Sequence, residues 1–176
     1  GFVTGNLFGR EIEGSIPLKF TKKEIEVLLK NNNKGSQVML ELDGKTYDAL
    51  IKEVDYNPLA HTVEEVDFQA LVSNEMVHSV AEIILENEEM VVSGVLQDEL
   101  KEVAYKALPA DLVDKIKVDV AGMKIGDTLR VKDLEIAKNK NIHITTDLES
   151  VIATVTPVHN VVPEAETETE DAAEEK

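Results

Sequence analysis

The 176-residue sequence has no cysteine and no tryptophan, and its three Tyr and four Phe make it only 4% aromatic. Without cysteine there is no disulfide framework, no thiol nucleophile and no thiolate metal site. With so few aromatics, any core rests mainly on Val, Ile and Leu. No apolar run approaches the roughly 20 residues that a membrane-spanning helix needs, and no signal-peptide pattern opens the chain. The expected compartment is therefore the cytoplasm. Basic side chains are also scarce: 18 Lys and Arg face 35 Asp and Glu, a formal net charge of −17. Taken as one number, that charge repels phosphate backbones. What is plentiful is apolar character. At 43% hydrophobic residues the chain has material for a core, and its length admits one domain or two small ones.

The acidity is unevenly placed. Residues 1–72 carry 8 basic and 12 acidic side chains, residues 73–156 carry 9 and 16, and residues 157–176 carry 1 and 7. In that last stretch Glu164, Glu166, Glu168 and Glu170 alternate with Ala and Thr. Repelling charges with no aromatic anchor predict a disordered tail, either solubilising or partner-binding. Residues 10–34 lean the other way, with Arg10, Lys19, Lys22, Lys23, Lys30 and Lys34 against Glu11, Glu13, Glu24 and Glu26. This segment is either a solvated helix face or a surface for an anionic partner. Gly1 is not an initiator methionine, so a processed chain, or one whose encoded start lies upstream, is expected.

Thr21-Lys22-Lys23-Glu24 is a capping box, and Ile25, Leu28 and Leu29 give the helix that follows one apolar face. Asn31-Asn32-Asn33-Lys34-Gly35 stops it. Val38–Leu42 and Lys45–Val54 flank Asp43-Gly44, a pair suited to the positive φ angles of a tight hairpin. Asn57-Pro58 marks a loop. From Val63 to Leu71 the alternation places Val66, Phe68 and Ala70 on one strand face and Glu65, Asp67 and Gln69 on the other. Ser73-Asn74 is the expected junction, separating a domain at 1–72 from one at 73–156. In the second, strand-like runs recur at Met76–Leu85, Lys101–Ala107, Ile116–Val120, Thr128–Val131, Ile142–Thr145 and Val151–Thr156. Asp147–Ser150 reads as one helical turn. Short strands at regular spacing argue an all-β domain rather than βαβ units.

The chemistry of catalysis is missing. His61, His78, His143 and His159 are dispersed without metal-ligand spacing, and Asp43, Asp55 and Asp127 sit in turns for backbone reasons. There is no phosphate-binding glycine loop, nucleophile elbow or EF-hand spacing. Gly5-Asn6-Leu7-Phe8-Gly9 reads as a turn-rich opening. No enzyme activity, cofactor, metal, small-molecule substrate or membrane association is expected.

The order of segments resembles a known family. Leu7-Phe8-Gly9, Ile16-Pro17-Leu18, the helix after Thr21, Leu42 to Tyr47, Leu50 to Val54, Asn57-Pro58 and Val66-Asp67-Phe68 resemble the barrel of bacterial large-subunit ribosomal protein twenty-five. Gly94 to Gln97, Ala107 to Leu112, Ile116 to Val120 and Ile125 to Leu134 resemble the C-terminal β domain of its long, two-domain Ctc (general-stress) relatives. The likeness covers residues 1 to about 156. It implies a mainly β protein. A six-stranded N-terminal barrel with one or two helices would precede an all-β domain with short helical turns and a disordered acidic tail at 157–176. It also implies a non-catalytic protein of the large ribosomal subunit that binds 5S ribosomal RNA and meets neighbouring subunit components.

On that resemblance the RNA-binding candidates are Phe8, Arg10, Lys19, Lys22, Lys23, Lys30, Lys34, Glu65 and Asp67. Phe8 offers a stacking surface and the basic residues offer phosphate contacts. Asp67 either accepts from a base amino group or 2′-OH, or orients a basic neighbour, or simply bonds a nearby backbone N–H. Three departures stand out. The family's Lys/Arg-rich arm would precede Gly1, Phe8 stands where Tyr is usual, and Glu65 stands where His is usual, adding an anion beside Asp67. They motivate a rival expectation: a protein-interaction module that keeps the fold and has lost the RNA site.

Overall fold

The computed structural model describes residues 1–91 and 94–157. The first sheet contains β1 (Phe2–Phe8), β2 (Ser15–Thr21), β3 (Gln37–Leu42), β4 (Lys45–Asn57) and β5 (Thr62–Ala70), in the order β2-β1-β5-β4-β3. Neighbours run antiparallel except β1 and β5, which are parallel. Helix α1 (Lys22–Asn31) follows β2 directly. The capping box forms: the Glu24 N–H donates to Thr21 Oγ1 at 3.3 Å, and the Thr21 N–H donates to Glu24 Oε2 at 2.7 Å. The bond from the Thr21 N–H, and then one from the Thr21 hydroxyl to the same Oε2 at 2.8 Å, hold the Glu24 carboxyl below its ordinary pKa. The helix carries Ile25 into a cluster with Val3, Leu7, Leu18, Val66 and Phe68, where Leu28 and Leu29 also pack. Phe20 and Phe68 meet at 5.6 Å between ring centroids, a spacing typical of tilted aromatic pairs.

This sheet has five strands, not the expected six. Its longest strand is the 13-residue β4. Its ladder with β5 shifts register between Ile51 and Glu53 and again between Asp55 and Tyr56. The first shift leaves Lys52 of β4 without a ladder partner and the second leaves Glu64 of β5 without one; such bulges bend a strand and increase its twist. The segment at residues 5–9 is also corrected. Gly5 to Phe8 belong to β1 rather than to a turn. A Cβ on Gly5 would lie 2.1 Å from the Val66 carbonyl oxygen, so this glycine permits close strand approach. The Asp43-Gly44 hairpin is as expected, with φ of 50° and 78°.

The remaining strands are β6 (Val77–Glu86), β7 (Val95–Asp98), β8 (Glu102–Ala107), β9 (Lys115–Asp119), β10 (Thr128–Arg130), β11 (His143–Ile144) and β12 (Val151–Thr156). They form a four-stranded sheet, β11-β8-β6-β9, and a three-stranded sheet, β10-β12-β7. Their shared core includes Ala81, Val103, Tyr105, Ile116, Val131, Leu134 and Ile152. Tyr105 is fully buried, and its hydroxyl both donates to Val113 O at 2.6 Å and accepts from Val113 N at 2.7 Å. Short 3₁₀ turns at Glu88–Met90, Pro109–Asp111, Val131–Asp133 and Glu135–Lys138 occupy the connections. At Asp147–Ser150 one turn closes through Ser150 N to Asp147 O at 3.1 Å. From residue 158 onward the acidic tail, and His159 with it, lies outside the described residues.

Four hydrogen bonds join the first sheet to the four-stranded one around Gly35. Lys52 Nζ donates to His78 O at 2.8 Å, Ser36 Oγ to Asp114 Oδ2 at 3.1 Å and Ser79 Oγ to Gly35 O at 3.4 Å; Asn33 Nδ2 donates to Glu82 Oε2.

Candidate nucleic-acid interface

Strand alternation builds the outer face of the first sheet. On β1, Val3, Gly5 and Leu7 point inward, leaving Thr4, Asn6 and Phe8 outside. On β5, Val66 and Phe68 are buried, leaving Glu65, Asp67 and Gln69 outside and half-buried. The parallel register sets Thr4 beside Glu65, Asn6 beside Asp67 and Phe8 beside Gln69. On the other flank β2 sets Lys19 beside Thr4 and Pro17 beside Asn6.

Asn6 organises this face. Its backbone N–H donates to Asp67 Oδ1 at 3.1 Å, and its side-chain amide donates to Glu65 Oε1 at 3.1 Å and to Asp67 Oδ1 at 3.2 Å. The backbone bond anticipated as the plain reading of Asp67 is therefore present. It engages only Oδ1, so Oδ2 keeps its accepting capacity. Glu53 pairs with Asp67 and Asp55 with Glu65 across β4 and β5, so Asp55 is a strand residue rather than the expected turn residue. These four carboxylates line a cleft of about 40 Å³. Among the described residues, no group of His, Asp and Glu is arranged to hold a metal ion.

The basic candidates do not gather on this face. Lys19 lies on it, with Nζ 3.8 Å from the Phe2 ring centroid, a cation–π contact. Arg10 pairs with Glu75 at 3.0 Å in the connection toward β6. Lys22 and Lys30 line a groove of about 310 Å³ between α1 and the β4–β5 turn, together with Tyr56 and His61. Lys23 lies along the helix with Val27 and Leu28. Lys34 stands past the helix end, in a cleft with Lys52 and His78. The structure thus brings Phe8, Lys19, Glu65 and Asp67 onto one sheet face. Arg10, Lys23 and Lys34 are elsewhere.

Sequence reasoning missed Lys52, His78 and Lys106. They come from β4, β6 and β8, and only the strand registers bring them near one another. Burial, then the charge of Lys34, lowers the Lys52 pKa from its ordinary value. His78 is likewise lowered, by burial and then by Lys106 and Lys52.

Comparison with known proteins adds a second line of argument. Residues 1–68 match the model of the ribosomal L25p family, and residues 76–159 match that of the ribosomal protein TL5 C-terminal domain. Large ribosomal subunit protein bL25 of Carboxydothermus hydrogenoformans is 33% identical over 176 residues, covering 99% of this chain and 87% of its own length. The protein of the same name from Caldicellulosiruptor saccharolyticus is 31% identical over 170 residues, 96% of this chain and 82% of its own. That from Thermoanaerobacter sp. strain X514 is 28% identical over 157 residues, with 88% and 77% covered.

Proposed function

The chain belongs to the bL25 family of large ribosomal subunit proteins, and on that premise we propose that its N-terminal half, residues 1–72, binds 5S ribosomal RNA. As a ribosomal protein it is not an enzyme, and its work is positioning rather than chemistry. The observation that carries the proposal is the anchored outer face of β2, β1 and β5. Asn6 fixes Asp67 through Oδ1, leaving an oxygen for a base amino group or a 2′-OH. Phe8 and Lys19 flank that acceptor on the same face, one apolar and one cationic. Helical RNA is recognised mainly by shape, through 2′-hydroxyls and phosphates across its wide minor groove. A rigid sheet surface with one preset acceptor and a flanking cation suits that task. Lys22 and Lys30 extend the cationic margin along α1. Residues 73–156 would form a separate β domain that meets neighbouring components of the subunit.

A gel shift of the full-length natural protein with 5S RNA tests this. The expected result is a complex that weakens as salt rises, because phosphate contacts release counterions. Absence of any salt-sensitive complex at low ionic strength refutes it.

A second reading has one specific observation in its favour. Glu53, Asp55, Glu65 and Asp67 share one small cleft on the same face, a concentration of charge that repels phosphate. A protein-interaction module that keeps the fold would tolerate this. Glu65→His separates the two. Under the RNA-binding reading it strengthens an existing complex; a complex that appears only in the variant supports the interaction module.

A further inference from the structure

Lys52 is the extra residue of the β4 bulge. Ile51 pairs with Phe68 and Glu53 with Asp67, so Lys52 has no partner of its own in the ladder. A bulge re-aims a side chain out of strict alternation. Here Lys52 Nζ reaches the four-stranded sheet and donates to His78 O at 2.8 Å. His78 stands opposite Lys106 in the β6–β8 register, and Lys106 opposite His143 in the β8–β11 register. Imidazole, ammonium and imidazole therefore form one row across the outer face of that sheet. Lys34 approaches from the first sheet and lines the same cleft as Lys52 and His78. The cleft measures about 240 Å³, and Glu53 is its one lining carboxylate.

In a chain of net charge −17 this convergence is unusual. None of Lys34, Lys52 and Lys106 takes part in the ion pairs found among the described residues. Like charges brought together disfavour the charged state of each, and Lys52 shows that effect from Lys34 in addition to burial. An anion in the cleft would reverse it. Lys52 spends one of its three N–H donors on His78 O, so two remain.

We propose that this cleft binds a phosphate group, with Lys34 and Lys52, which line it, supplying countercharge, Lys106 adding charge from beside His78 at its margin, and the His78 ring a hydrogen bond. Its natural source is a backbone phosphodiester of the RNA bound by the N-terminal half, so that one RNA contacts both halves of the chain. The choice of source rests on the RNA-binding reading; the phosphate chemistry does not.

Two measurements on the full chain test it. In the first, inorganic phosphate is titrated while backbone amide and histidine ring resonances are followed. Shifts are expected at residues 34–36, 52–53 and 78–80 and at the His78 ring. They should vanish in K34Q/K106Q and persist in K106R, which keeps the charge. In the second, gel shifts with 5S RNA across a salt series compare the natural chain with K34Q/K106Q. The slope of log affinity against log salt should flatten by about one, the value of one lost phosphate contact. Phosphate shifts with an unchanged slope overturn the RNA source and keep the phosphate site. No shift with phosphate, together with an unchanged slope, overturns the site. If no 5S complex forms at all, the RNA-binding reading fails by itself, and the phosphate titration alone decides the cleft.

Discussion

Gly35→Ala probes the joint between the two sheets. Gly35 has φ of +89°, and a Cβ there would lie 2.0 Å from Val80 O and 3.1 Å from Ser79 Oγ. The carbonyl is backbone of the neighbouring sheet and cannot swing aside. The substituted chain must therefore part the two sheets at this point. Four hydrogen bonds cluster there, from Lys52, Ser36, Ser79 and Asn33. Each contributes about 0.5–1.5 kcal/mol net, and partial exposure favours the lower half of that range. The left-handed backbone adds about 1 kcal/mol for any residue with a Cβ. The expected loss is about 3–5 kcal/mol, which for a chain of this size lowers the calorimetric midpoint by roughly 6–20 °C. Gly44→Ala is the matched control. It has φ of +78° with nothing within 4 Å of its Cβ, so only the backbone term applies, about 1 kcal/mol. Calorimetry on both variants settles the matter. If Gly35→Ala costs no more than Gly44→Ala, the clash and the joint built on it are refuted.

Three further outcomes are expected. Gly5→Ala forces β1 away from β5, because its Cβ would meet the Val66 carbonyl oxygen at 2.1 Å; a loss of about 4 kcal/mol or more should appear in urea denaturation, and a near-natural midpoint would contradict the close approach. Tyr105→Phe removes the hydroxyl that serves both Val113 N and Val113 O; with Val113 only half-buried, about 1–3 kcal/mol should be lost, again read by urea denaturation. The capping box makes α1 acid-sensitive. The folded-state pKa of Glu24 lies below its ordinary value of 4.5, so its contribution is complete above that pH and is lost as pH falls through the lower folded value. Amide hydrogen-exchange protection factors in the first turn of α1, referenced to the intrinsic rate at each pH, should fall over that interval in the natural chain, while Glu24→Ala should show low protection throughout.

Local rules made much of the fold legible. The capping box at Thr21 and Glu24, the Asp43-Gly44 hairpin and the alternation of Glu65, Val66, Asp67 and Phe68 each depend on residues close in sequence. What escaped depends on residues far apart. Gly5 resembles a turn residue until Val66, from a strand sixty positions later, closes on it. The bulge that displaces Lys52 has no composition of its own, since it arises from how β4 curls around β5. The four residues of β7 (Val95–Asp98) are too few to show alternation. The site divides the same way. Phe8, Lys19, Glu65 and Asp67 share a face that parity on two strands and one register can supply. Arg10 was drawn away by Glu75, and Lys34 by the turn at Gly35.

Net charge is a poor guide to such a molecule, because a bound phosphate responds to the charges within its screening distance. At physiological salt that distance is about 8 Å, so charge on remote parts of the chain has little influence on it. Strand β4 is where the local signs change. Before the bulge its buried run Ala49, Leu50 and Ile51 faces the cores and the joint. At the bulge Lys52 turns toward the other sheet. After it, Glu53 and Asp55 fall back into register opposite Asp67 and Glu65. One inserted residue thus separates a cationic cleft from an anionic one, and Glu53 lines both. An RNA approaching the outer face would be repelled at the four carboxylates and attracted at Lys19 and at the Lys52 cleft. Its backbone must then pass beside the acidic cleft rather than across it. That constraint favours a helical RNA, whose phosphates lie in two separated rows, over a flexible single strand that would meet the carboxylates along its path.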